Sequence, residues 1–124
     1  MSATGVLQAA TVISLTDQVA LGSEIATENY EYLQLYLTYV KGDETGVTVR
    51  QFRRRTAAGT DHQARVWTVS AGVYTAASEE IYLTASGSYR FDILLGAIDY
   101  VAFTQAGTND GTPTGTLAAS YTML

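Results

Sequence analysis

The sequence predicts an all-β domain: an antiparallel β-sandwich, jelly-roll-like, of about eight strands with an extended N-terminal arm. Three observations carry this. Residue usage favours strands and turns, with eighteen Thr, nine Tyr and eleven Gly against a single Lys and a single Pro. Apolar and polar residues alternate with a period of two in several segments, which is the pattern of a half-buried strand. Gly-bearing turn signals recur between these segments, and no amphipathic helix long enough for a parallel crossover separates them.

Taken in order, residues 1–28 form an N-terminal arm or first strand, and residues 29–124 the sandwich body. Val6–Leu15 is apolar and β-branched enough for a strand, and residues 17–28 allow one short helical turn. An arm of this kind implies that removing residues 1–15 leaves the fold intact and abolishes binding to its partner. Tyr30–Val40 gives the clearest alternation, with Leu33, Leu35, Leu37 and Tyr39 on one face and Tyr32, Gln34, Tyr36 and Thr38 on the other. The tyrosines on the polar face suit a surface covered by another layer or subunit. Lys41–Gly46 reads as a hairpin-type loop whose two glycines take positive φ. Val47–Arg55 follows, with Val47, Val49 and Gln51 opposite Thr48, Arg50 and Phe52. Further strands are expected at Ala64–Ser70, Glu80–Thr84, Ser88–Leu95, Ile98–Gln105 and Thr116–Leu124, with a Gly/Thr loop at 107–115.

Composition bounds the function. A chain of 124 residues and 13.3 kDa, 47% hydrophobic and 15% charged with mean hydropathy +0.06, supports one domain with a core. The longest apolar run falls far short of the ~20 residues of a membrane helix. The start, Met1-Ser2-Ala3-Thr4-Gly5, lacks the charged and apolar regions of a signal peptide, so a soluble protein made in the cytoplasm is expected. Seven Lys and Arg against twelve Asp and Glu give a net charge of −5, a field that opposes a polyanion. Neither nucleic acid nor membrane is therefore an expected partner. With no Cys and one His, thiolate sites and His-rich metal clusters are excluded.

Individual residues offer little catalysis. The run Arg53, Arg54, Arg55 could contact phosphate, but alternation puts Arg53 and Arg55 on one side and Arg54 on the other. Salt bridging to carboxylates is the favoured reading. His62 follows Asp61 in a loop, with no Gly-x-Ser-x-Gly elbow to complete a triad. Glu79, Glu80, Asp92 and Asp99 show no spacing that pairs two of them for acid–base work. Asn109-Asp110-Gly111 suits a turn and lacks the alternating carboxylates of a Ca²⁺ loop. Nine tyrosines with Trp67 could form a sugar-stacking platform or a protein interface.

The run YLQLYLTYVKGDETGVTVRQF at Tyr32–Phe52 resembles small virion proteins of tailed bacteriophages, in which a long strand ends in Tyr-x-Lys-Gly before an acidic turn. GSYRFDI at Gly87–Ile93, Tyr100-Val101 and TGTLAASY at Thr114–Tyr121 are similar to the same group, so the resemblance spans roughly Tyr30 to the C-terminus. It implies a non-enzymatic capsid decoration, or cement, protein located in the virion. It implies no cofactor and no metal, the major capsid protein or another virion protein as partner, and a homo-oligomer, with a trimer favoured. The candidate contact residues are Val6, Leu7, Val12 and Ile13 in the arm, Tyr32, Tyr36 and Thr38 on the outer strand face, and Arg53, Arg54 and Arg55 for partner carboxylates. A neck or tail component of the virion and a carbohydrate-binding module are the alternatives.

Overall fold

The computed structural model describes residues 3–13, 18–54, 62–64, 67–70, 73–76, 80–95, 100–108 and 113–124. For residues 64, 67–70, 73–76 and 108 the backbone alone is described. The expectations for Arg55, Asp61, Glu79, Asp99, Asn109, Asp110 and the Trp67 and Tyr74 side chains lie outside these residues.

The described residues form twelve strands: β1 (Ala3–Val12), β2 (Val19–Ala20), β3 (Ile25–Ala26), β4 (Tyr32–Val40), β5 (Gly46–Arg54) and β6 (His62–Ala64), then β7 (Trp67–Ser70), β8 (Val73–Ala76), β9 (Glu80–Leu83), β10 (Gly87–Leu94), β11 (Tyr100–Thr108) and β12 (Thr116–Met123). One antiparallel sheet has four strands in the order β1-β12-β4-β10. In the second sheet β11 pairs with β5, β2 and β3 both lie along β11, and β6 and β9 both lie along β5. β7 and β8 pair only with each other among the described residues.

Each interrupted edge, β2 with β3 and β6 with β9, occupies one strand position. The positions then number eight, ordered 1-8-3-6 in one sheet and 2-7-4-5 in the other. That is the double-sheet jelly roll. The surplus over about eight strands comes from broken edges and from the β7–β8 hairpin, which interrupts the edge position between β6 and β9. Ala64–Ser70, which alternation reads as one strand, divides between two sheets for this reason.

Further local expectations fail. Segment 18–28 holds β2 and β3 rather than a helical turn, because its backbone groups pair with β11 and Leu21 donates its amide to Phe103 at 2.8 Å. Lys41–Gly46 is no hairpin, since β4 and β5 belong to different sheets and the loop crosses between them. Its glycines serve close approach, not positive φ. A Cβ on Gly42 would collide with Thr114, and one on Gly46 with the Leu83 carbonyl.

The core lies between the sheets. Leu33, Leu35, Leu37 and Tyr39 of β4 and Leu117 of β12 face Val47 and Val49 of β5 and Val101 and Phe103 of β11, all buried. Residues 3–13 run extended along β12, from Ala3 opposite Met123 to Val12 opposite Thr116, with two register shifts. Gly5 lets the Tyr121 ring lie where a Cβ would otherwise stand. Among the described residues no helix is long and apolar enough to cross a membrane.

Candidate interaction surface

Cross-strand partners share a face, so the register defines the outward surface of the four-stranded sheet. Ser88, Thr38 and Ala118 form one row across β10, β4 and β12. Arg90, Tyr36, Ser120 and Val6 form the next, and Asp92, Gln34, Thr122 and Thr4 the one after. Leu94 stands beside Tyr32, whose backbone exchanges hydrogen bonds of 3.0 and 3.1 Å with Leu124. At the opposite end Val40, Thr116 and Val12 line up.

This face gathers seven of the nine large hydrophobic residues exposed among the described ones: Val6, Val12, Tyr32, Tyr36, Val40, Leu94 and Leu124. Its two charges, Arg90 and Asp92, bridge each other at 3.1 Å and cancel. Tyr36 donates its hydroxyl to Gln34 at 2.9 Å. Beside it is a shallow hollow of about 180 Å³ lined by Val6, Gln8, Tyr36, Thr38, Ala118 and Ser120. The face is neutral and partly apolar on a chain of net charge −5, a combination common at contact surfaces.

The sequence candidates divide. Tyr32, Tyr36 and Thr38 stand exposed together on this face, and Val6 and Val12 on its margin. Leu7 is half-buried against the core, and Ile13 is 3% exposed within it, so neither stands free. Arg53 turns inward, donating to the carbonyls of Leu94 at 2.6 Å and Leu95 at 3.1 Å and to the Gln51 side chain. Burial lowers its pKa from the ordinary value, though an arginine remains a cation. Arg54 pairs with Glu24 and stacks 4.7 Å over the Tyr100 ring. These two arginines are therefore engaged within the chain. Arg50 likewise bridges Glu80 at 2.9 Å. Leu94 and Leu124 were missed; alternation in Ser88–Leu95 already places Leu94 outward, but the pairing of Leu124 with Tyr32 is long-range and has no sequence signal.

Other features have structural roles. His62 begins β6, paired with Arg53 on an edge rather than sitting in a loop. Glu44 is 1% exposed and accepts from the Tyr39 hydroxyl at 2.5 Å and from the amides of Gly42, Thr114 and Gly115 at 2.8–3.1 Å. Burial pushes the Glu44 carboxyl up, but these donors outweigh it and hold it at about 2. Burial, then the bond to Glu44, pushes the Tyr39 phenol well above its usual value. On the second sheet a groove of about 440 Å³ lies between Ala20–Glu24 and the outward Phe52, Ala102 and Thr104. No group of three or more His, Cys, Asp or Glu that could hold a metal ion occurs among the described residues.

No family model matches the chain, and no curated protein matches its sequence. Solved structures do match its fold. The SPBc2 prophage-derived protein YomS is similar with a TM-score of 0.66 at 12% identity, over 99% of this chain and 92% of that one. A chain in the structure of infectious bursal disease virus Gx strain is similar with a TM-score of 0.56 at 10% identity, over 99% of this chain and 31% of that one. One from Bacillus endospore appendages, described as disulfide-linked pili, gives 0.50 at 12% identity, over 99% and 85%. At such identities the likeness is one of fold, and the fold is a β-sandwich found in a prophage-derived protein and in a virus.

Proposed function

We propose that this chain is a non-enzymatic structural protein of a phage virion, and that it decorates the capsid by binding the major capsid shell. The observation that carries the reading is the outward face of the β1-β12-β4-β10 sheet, where exposed apolar side chains collect on a neutral surface suited to subunit contact. The fold likeness to a prophage-derived protein and to a chain of a virus supports the same reading. So does the sequence resemblance along Tyr32–Phe52. The chain contains no Cys, so it cannot be linked by disulfides as the endospore pili are described to be. Such a protein would stabilise a shell through buried contacts and many copies rather than through chemistry.

Copy number tests this. Quantitative mass spectrometry of particles produced with the protein should find hundreds of copies in each. A dozen or fewer would move the protein to the neck or tail. Absence from the particles would overturn the virion reading and return the glycan-binding alternative.

A further inference from the structure

The register of the four-stranded sheet contains a self-complementarity. Consider a line across the strands through Phe91, Leu35 and Tyr121, which are aligned neighbours on β10, β4 and β12. One residue from that line stand Arg90, Tyr36 and Ser120 on one side and Asp92, Gln34 and Thr122 on the other. Three residues away the small side chains Ser88, Thr38 and Ala118 stand on one side. The large Leu94, Tyr32 and Leu124 stand on the other. All these side chains project outward.

A two-fold axis along this line, lying in the plane of contact, sets every position against its mirror position on the same strand. We infer that this face binds a second copy of the chain about such an axis, forming a homodimer of stacked sheets. Leu94, Tyr32 and Leu124 of one copy then seat on the small-residue row of the other. There the hollow lined by Tyr36, Thr38, Ala118 and Ser120 is open to receive them. Arg90 meets Asp92 of the second copy, and Asp92 meets its Arg90. The Arg90 and Asp92 side chains are 56% and 24% exposed, so a second copy can reach both.

Area and charge agree. Four strands of eight to ten residues present roughly 600 Å² per copy, about 1,200 Å² in all, the lower end of specific interfaces. Stacked sheets align within about 30°, which the small Ser, Thr and Ala side chains permit. Two chains of net charge −5 repel, and contact through a neutral face is where that repulsion is least. A foreign partner would not need this charge and size pattern to be self-complementary about one line. The dimer takes up the face offered above for capsid contact, so in a dimer the shell would be met by other surfaces; the inference does not rest on the virion reading.

Light scattering and sedimentation of the full chain across a concentration series test it. Dimers should form, and Thr38→Arg, which fills the hollow at an exposed position, should abolish them while circular dichroism stays unchanged. Arg90→Asp sets two carboxylates against each other and Asp92→Arg sets two guanidinium groups together, so each should raise the dimer Kd about tenfold or more. The double exchange should recover most of that loss. A monomer at all concentrations up to about 100 μM, a range that captures a micromolar interface, would overturn the inference. So would a dimer indifferent to Thr38→Arg, a failure of the double exchange to recover, or a trimer, since a face-to-face two-fold closes at two. A monomer found in hundreds of copies per particle would sink the dimer and leave the virion reading standing; a dimer absent from particles would do the reverse.

Discussion

Glu44 shows how much one buried residue organises. Its carboxylate fastens the β4–β5 crossover to residues 114–115 by accepting from Gly42, Thr114 and Gly115, and it closes on the Tyr39 hydroxyl from beneath. Gly115 is small because its Cβ would strike this carboxylate, so the glycine and the acid are one device. Removing the charge leaves several donors aimed at a weaker acceptor. Glu44→Gln should therefore lower unfolding free energy by about 2–3 kcal/mol in urea at neutral pH. The folded-state value, about 2, lies below the ordinary 4.5, so the stabilisation is present above 4.5 and lost as pH falls through about 2. The stability gap between wild type and Glu44→Gln should close across that interval. A gap that stays constant from neutrality to pH 2 would show that the charge contributes nothing.

Elements in this chain are held by contacts that cross from sheet to sheet. Gly22, at φ 73°, lies between β2 and β3 and packs its backbone on the Leu7 carbonyl of β1. Gly22→Ala adds both a strained backbone and a collision, and should cost about 1–3 kcal/mol, with hydrogen-exchange protection lost first at residues 19–26. Arg53 ties the end of β5 to the end of β10 through the Leu94 and Leu95 carbonyls. Arg53→Met should cost about 1–3 kcal/mol, and Arg53→Lys should not restore it, because a single ammonium cannot span two carbonyls as a planar fork does. Equal stability of Arg53→Lys and wild type would mean that only the charge matters. These links also mark where sequence reading stops. The faces of β4, β10 and β11 were legible because period-2 alternation needs no knowledge of the partner strand: Leu33, Leu35 and Leu37 point inward whichever sheet they join. The crossover at Lys41–Gly46 reads as a hairpin in sequence because a Gly-bearing loop looks the same whether it returns to its own sheet or leaves it. Arg53 and Arg54 read as free for partner carboxylates because Leu94, Leu95 and Glu24 lie some thirty to forty residues away in sequence. The outer face was half legible: Tyr32, Tyr36 and Thr38 by alternation, Leu124 not at all.

At the scale of the whole molecule, the jelly roll joins the two ends of the chain. β1 is the edge strand of the contact sheet and its only described neighbour there is β12, so strand one depends on strand twelve. Read as an arm, residues 1–15 could be removed with the fold intact and only particle binding lost; the pairing implies that the fold itself suffers. Deleting residues 1–12 strips the ladder from Ala3 to Val12, exposes the edge of β12, and removes the Leu7 and Ala3 packing and the Gly5 backbone beside the Tyr121 ring. Domains of this size have only about 5–15 kcal/mol of net stability, and losing a sheet strand consumes a large part of it. The truncated chain should lose its cooperative thermal transition or aggregate through the newly opened edge. A synthetic peptide of residues 1–13 should restore the transition in trans, because an isolated edge strand can be supplied by strand addition. If the truncated chain instead melts cooperatively within a few degrees of the full chain, residues 1–12 are no part of the stable body, and their role is to be sought in particle binding alone.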